Sequence, residues 1–164
     1  MAILISGILI VASILLQSTI LNRFPIWGAR MDLVLMTTIL LSLLRGARFG
    51  AGYGFASGFL QDVLSGQFIG ANALTKMSIG YLAGSVQERL FQDNPITPIL
   101  VVMVGTFVHE LLFWSVLGIF GRTIPFTTAF SRLVLPVVMM NSILSPVVFY
   151  LLKRFDRFLN KLQS

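Results

Sequence analysis

The stretch Gly46-Ala47-Arg48-Phe49-Gly50-Ala51-Gly52-Tyr53-Gly54-Phe55-Ala56-Ser57-Gly58-Phe59-Leu60-Gln61-Asp62 places glycine at every fourth residue, and the same register continues through Gly66 and Gly70. Residues four apart lie one above the other on a helix, each step drifting by roughly 40° around the axis. A helix through Gly46, Gly50, Gly54 and Gly58 therefore carries a strip without side chains. In water such a helix is poor, because each glycine costs about 1 kcal/mol relative to alanine. Within a bilayer the strip lets another backbone approach closely, and van der Waals packing replaces the missing hydrophobic drive. The row predicts a membrane protein whose third apolar segment is a packing hub. A single-pass partner helix is one candidate occupant of the strip, with Phe55 and Phe59 bordering the groove or facing lipid.

Composition points the same way. Hydrophobic residues make up 56% of the chain and charged residues 11%, with a mean hydropathy of +0.90. A soluble domain averages about 25% charged residues, so most of this surface is expected to face lipid. The lack of cysteine excludes disulfides, thiolate metal sites and cysteine nucleophiles. Residues 2–22 form one uncharged stretch without a basic leader or a small-residue cleavage site, which reads as a retained helix rather than a signal peptide.

The charges divide the chain into six expected spans: residues 2–22, 33–44, 49–64, 70–87, 99–120 and 129–152. The second is short and spans only if residues 28–31 join it and Arg30 and Arg45 snorkel. Five spans result if the second and third form a re-entrant pair. The fold class expected is thus an all-α integral membrane protein, a bundle of about six helices over residues 1–152 followed by a basic amphipathic cytoplasmic tail, 153–164. With both termini inside, Arg45, Arg48, Arg89, Lys153, Arg154, Arg157 and Lys161 fall on the inner side, against Arg23, Arg30, Arg122 and Arg132 outside. Seven against four favours N-in, C-in. The tail sets Phe155, Phe158, Leu159 and Leu162 at helical spacing among Lys153, Arg154, Arg157 and Lys161. It reads either as a helix lying on anionic lipid or as an extension of the sixth span.

Ionisable groups inside spans are functional candidates by default. They are Asp62, Lys76, His109 and Glu110. A lone charge in hydrocarbon costs a few kcal/mol, so Lys76 is expected to pair with Asp62 or Glu110. The pair fixes helix positions or, on a sharper reading, forms a proton or ligand site, with Asn72 and Trp114 as further pocket candidates. No catalytic constellation is evident. One histidine beside one glutamate makes neither a metal cluster nor a defined acid–base pair. The glycines lack the preceding strand and the Gly-Lys-Ser/Thr ending of a phosphate loop. The isoelectric point near 10.6 reflects cations at membrane boundaries rather than a nucleic-acid patch. No cofactor, metal or nucleic-acid partner is expected.

The junction of the third and fourth spans carries a resemblance. Gly54-Phe55-x-x-Gly58-Phe59-x-x-Asp62-x-x-Ser65-Gly66-x-x-x-Gly70-x-x-Ala73-Leu74, followed by Gly80-Tyr81-x-x-Gly84, resembles the rod shape-determining protein MreD family. Gln17-Ser18-Thr19 closing the first span agrees, as do Pro136, Asn141 and Pro146 in the sixth. Met31-Asp32-Leu33 stands where the family commonly has Pro-Asp-Leu, so Met31 departs from the pattern. The resemblance implies a bacterial inner-membrane protein of the cell-elongation complex without enzymatic activity. It implies MreC as direct partner, with MreB, a SEDS glycosyltransferase and a penicillin-binding transpeptidase linked indirectly in lateral peptidoglycan synthesis. It also implies a fold like the substrate-binding subunits of ECF vitamin transporters, which makes such a subunit the rival function. Segment one offers Ala2 and Ser6 four apart, but that small-residue row does not continue.

Overall fold

The computed structural model describes residues 2–19, 31–66, 68–87, 94, 96–119, 121 and 130–161. They form six α-helices, α1 (Ala2–Thr19), α2 (Leu33–Arg45), α3 (Ala47–Ser65), α4 (Ala71–Ser85), α5 (Ile96–Ile119) and α6 (Leu135–Lys161), with a π-helical turn at Phe130–Val134 before α6. No strand occurs among the described residues.

The second helix is the shortest and lies at the centre. Asp32 caps α2, its Oδ1 accepting a hydrogen bond from the Leu35 amide at 2.8 Å. Met31 and Asp32 are therefore not helical, and α2 does not extend upstream as a full span requires. Its 13 residues reach about 20 Å, against a hydrocarbon core of about 30 Å. Every residue from Val34 to Leu43 is buried. A helix that is apolar all round belongs inside a bundle, and α2 indeed touches α1, α3, α4, α5 and α6. Leu35, Met36, Ile39, Leu40 and Leu43 form the core with Ile79 of α4, Val102 of α5 and Phe149 of α6.

Gly46 alone separates α2 from α3, at φ 88°, a backbone conformation that suits glycine. Gly66, in the left-handed region, ends α3. Gly70 at φ 102° opens α4. The lower members of the glycine row are thus turn residues, and the strip proper is Gly50, Gly54 and Gly58.

Among the described residues, two helices are long and apolar enough to cross a membrane, Ile96–Ile119 and Leu135–Arg157, and shorter apolar helical stretches run over Ile5–Thr19 and Leu33–Arg45. This is fewer than the six spans expected from charge spacing. The physical reason lies in composition: α3 and α4 exchange apolar side chains for glycine and carry Asp62 and Lys76, and α2 is cut short by its Asp32 cap. The sixth helix takes one of the two readings of the tail, an extension of the sixth span. It runs without a break past residue 152 to Lys161. Pro146 removes the amide that Ser142 O would accept, and the Ser145 hydroxyl donates to that carbonyl instead, at 2.8 Å.

The distribution of polarity is inverted relative to a water-soluble globule. Ile8, Leu64, Ile69, Leu74, Val104, Ile143 and Tyr150 are exposed, whereas Thr38, Ser42, Ser57, Lys76, Thr106, Asn141 and Ser145 are buried.

Candidate functional site: a buried polar seam between helices

The glycine strip of α3 is filled by α4 of the same chain. A Cβ at Gly50, Gly54 or Gly58 would overlap the carbonyl oxygens of Gly80, Lys76 and Asn72 respectively. In return, Gly80 lies against the backbone of Gly50, and Gly84 against that of Gly46 and Ala47. Contact partners fall in α4 as they rise in α3, so the helices are antiparallel. The strip is therefore not open to a partner helix. The matching row on α4 has the same four-residue spacing, Gly80 and Gly84, which is the sequence signal for the occupant. Phe55 and Phe59 point away from this contact; they are exposed and stack on each other with ring centroids 6.2 Å apart.

Asp62 fastens the end of this hairpin. Its carboxylate is buried and accepts four hydrogen bonds: Oδ2 from the amides of Gly70 (2.9 Å) and Ala73 (3.1 Å), Oδ1 from the Asn72 amide (3.2 Å) and side-chain Nδ2 (2.8 Å). The first amides of a helix lack partners and carry its positive dipole end, so a carboxylate there satisfies both. Asp62 is thus the cap of α4, supplied from α3.

That arrangement leaves Lys76 to another partner, and the expected pairing with Asp62 or Glu110 is not what forms. Lys76, fully buried, donates from Nζ to Asp32 Oδ2. Asp32 sits in what reads from sequence as the first loop, so charge spacing alone does not mark it as a buried ion. The clue is its position just before an apolar run, that of a helix cap. The neighbouring turn of α2 receives a third helix: Gln17 Oε1 of α1 accepts from the Val34 amide at 3.2 Å. Asp32 thus joins α2 to α4 at the end where α1 also arrives.

On α5, His109 is buried and lies between two polar groups. Its Nε2 is 3.3 Å from Thr75 Oγ1 of α4, and its Nδ1 is 3.3 Å from Glu110 Oε1. One turn earlier, Thr106 Oγ1 accepts from Asn141 Nδ2 of α6 at 3.3 Å. Together these contacts tie α2, α4, α5 and α6 through buried polar atoms. Of the pocket candidates, Asp62, Asn72 and Lys76 are bound to one another or to Asp32, and Trp114 is half-buried on α5. No group of three acidic, histidine or cysteine side chains suited to a metal occurs among the described residues.

At the opposite end, Arg45 holds the C-terminal part of α6. Its Nε and Nη2 reach Asp156 Oδ1 at 3.0 and 2.5 Å, and its guanidinium lies 4.9 Å from the Phe49 ring centroid. Lys153 lies over Phe149, and Arg154 and Arg157 are exposed. The side chains of Lys161 and Phe158 lie outside the described residues, as do Arg23, Arg30, Arg89 and Arg122.

The chemistry of this seam is that of mutual satisfaction. Each buried charge meets a counter-charge or a set of amides on another element, and the result is a fixed arrangement of helices. No curated protein and no solved structure matches the chain. A model of the rod shape-determining protein MreD matches residues 1–158, and with nearly its whole length covered the chain belongs to the MreD family of rod shape-determining proteins.

Proposed function

We propose that this chain is a multi-pass, non-enzymatic scaffold of the bacterial cytoplasmic membrane, with N-in and C-in topology, that serves the cell-elongation complex. The observation that carries this reading is the inverted polarity: apolar side chains cover the outside while Asp32, Asp62, Lys76 and His109 are held by other protein groups. Charges engaged in this way fix helix positions and leave the outer helix faces for association. The short α2 fits a bilayer because protein surrounds it, and irregular backbone at membrane depth is tolerated where protein buries it. The exposed cations Arg48, Arg154 and Arg157 gather near the ends of helices that meet at Arg45–Asp156, in accord with a cytoplasmic side rich in arginine.

Within that complex, MreC is the direct partner. MreB, the SEDS glycosyltransferase and the penicillin-binding transpeptidase are reached through it, in support of lateral peptidoglycan synthesis. Because α4 covers the glycine strip, MreC is expected on an outer face, and the stacked Phe55–Phe59 pair is the face of α3 that remains. The test is affinity purification of the tagged chain in mild detergent, followed by mass spectrometry. MreC in the eluate is the expected result, reduced when Phe55 and Phe59 are both changed to alanine. Recovery of an ATPase-coupled membrane subunit in place of MreC would instead establish an ECF-type binding subunit.

A further inference from the structure

Three buried hydroxyls from three helices converge where α1 seats on the bundle. Gln17 Oε1 of α1 accepts from the Val34 amide of α2 at 3.2 Å. One turn back along α1 stands Ser13, and one turn on along α2 stands Thr37, so the two continue the same contact; both are buried. From α3 comes Tyr53, whose hydroxyl faces Thr37 and Ser13. Its ring belongs to the core that includes Ile10 of α1 and Leu40 of α2, and it stacks on Phe49 with centroids 6.0 Å apart and 25° between planes. The ring is thereby held, and its hydroxyl with it.

The hydrogens can be counted. Thr37 gives its one hydroxyl hydrogen to Val34 O at 3.0 Å, so its oxygen has only lone pairs to offer. Tyr53 is 4% exposed, and its hydroxyl completes no hydrogen bond with a protein atom. A hydroxyl kept from water without a partner is costly, and lipid supplies none. The position calls for a molecule that donates to Thr37 and accepts from Tyr53 at once. Its walls are neutral hydroxyls rather than charges, which suits a neutral molecule and not an ion. It lies between packed helices, which suits a very small one. Water meets each condition: buried waters make about three hydrogen bonds to polar groups otherwise without partners.

We infer that Ser13, Thr37 and Tyr53 bind one water molecule, which pins α1 to α2 and α3. The water accepts the Tyr53 hydrogen and donates to Thr37 Oγ1 and Ser13 Oγ. Such a pin matters more for α1 than for an inner helix. Apolar side chains gain little from leaving lipid for protein, so they do not by themselves hold a helix in place. The outer face of α1, with Ile8, Val11, Leu15 and Leu16, is exposed. Its rotation and register are then set by the water at Ser13 and by the Gln17–Val34 bond one turn away. This inference stands on buried hydrogen-bond partners and does not depend on the scaffold reading.

The decisive measurement is a crystal structure of the full chain grown from a lipidic mesophase, at a resolution that shows ordered solvent. The expected result is one solvent peak at about 2.6–3.2 Å from all three hydroxyl oxygens. A direct bond from Tyr53 to Thr37 or Ser13, with no peak between them, overturns the proposal. A second measurement is a triple-mutant cycle on thermal stability in lipid nanodiscs, with Tyr53→Phe, Thr37→Val and Ser13→Ala. A shared water couples Tyr53 to Thr37 through a molecule that Ser13 helps to hold. The Tyr53–Thr37 coupling should therefore fall by about half or more in the Ser13→Ala background. Coupling of equal size with and without Ser13, or no coupling between Tyr53 and Thr37 at all, also overturns the proposal.

Discussion

The α3–α4 hairpin and the α5–α6 pair solve the same problem by opposite means. In α3–α4 the two backbones touch, carbonyl against glycine, and the turn is closed by one buried carboxylate with four donors. In α5–α6 two long apolar helices keep their side chains between them, with a polar contact from Asn141 to Thr106. The first contact is rigid because backbone cannot yield. The second has no such glycine contact among the described residues: a Cβ at Gly105 of α5 would meet side chains of Ile39 on α2 and Ile79 on α4. Lipid-facing helices of spanning length do not need glycine to stay in the membrane, whereas α3 and α4 depend on fit and on paired charges.

The largest expected effect tests backbone contact. Gly54→Leu drives a side chain into the Lys76 carbonyl and should prevent α3–α4 assembly, a loss well beyond the 1–3 kcal/mol or so of ordinary overpacking. Gly118→Leu on α5, where nothing lies within 4 Å, should leave detergent melting temperature and yield unchanged. Equal tolerance of both would break the contrast between the two pairs.

Next comes the buried ion pair that links the hairpin to α2. Lys76→Met leaves Asp32 without its cation and should cost about 3–5 kcal/mol. Adding Asp32→Asn removes the orphaned charge but retains a capping oxygen for Leu35, so the double variant should recover much of the loss. A double-mutant cycle on thermal stability measures the coupling, and simple additivity would show the pair is energetically idle.

Asp62→Asn keeps the shape of the α4 cap but loses its charge and one acceptor oxygen, leaving buried amides unsatisfied. A loss of about 2–3 kcal/mol is expected, together with faster hydrogen exchange at Gly70, Asn72 and Ala73. Exchange that accelerates instead along α5 and α6 would place the weak point in the other pair. The smallest effect belongs to Asn141→Leu, about 1 kcal/mol, since interhelical hydrogen bonds in membranes average well below 2 kcal/mol.

Much of the hairpin is legible in the sequence because its information is local. The four-residue glycine spacing fixes a bare helix face, and Gly66 and Gly70 mark the turn. The six spans read from charge spacing are less secure than the helices themselves: the charge-free stretch at 33–44 is a true helix, but a central one too short to follow bilayer thickness by itself. The partner of Lys76 is not legible in the sequence for a related reason. Asp62 is nearer in sequence, yet its oxygens are taken by the α4 amides it caps, whereas Asp32, 44 residues from Lys76, is brought to it by packing.

By itself, then, the sequence determined the class of element, the bare strip along α3 and the membership suggested by the Gly54–Gly84 motif, because periodicity and composition act within a few turns of helix. Only the tertiary structure decided that α4 fills the strip, that Asp32 holds Lys76, and that His109 stands between Thr75 and Glu110. Those outcomes depend on which donors and acceptors remain once each helix has satisfied its own ends, and that remainder is settled only when the helices are packed together.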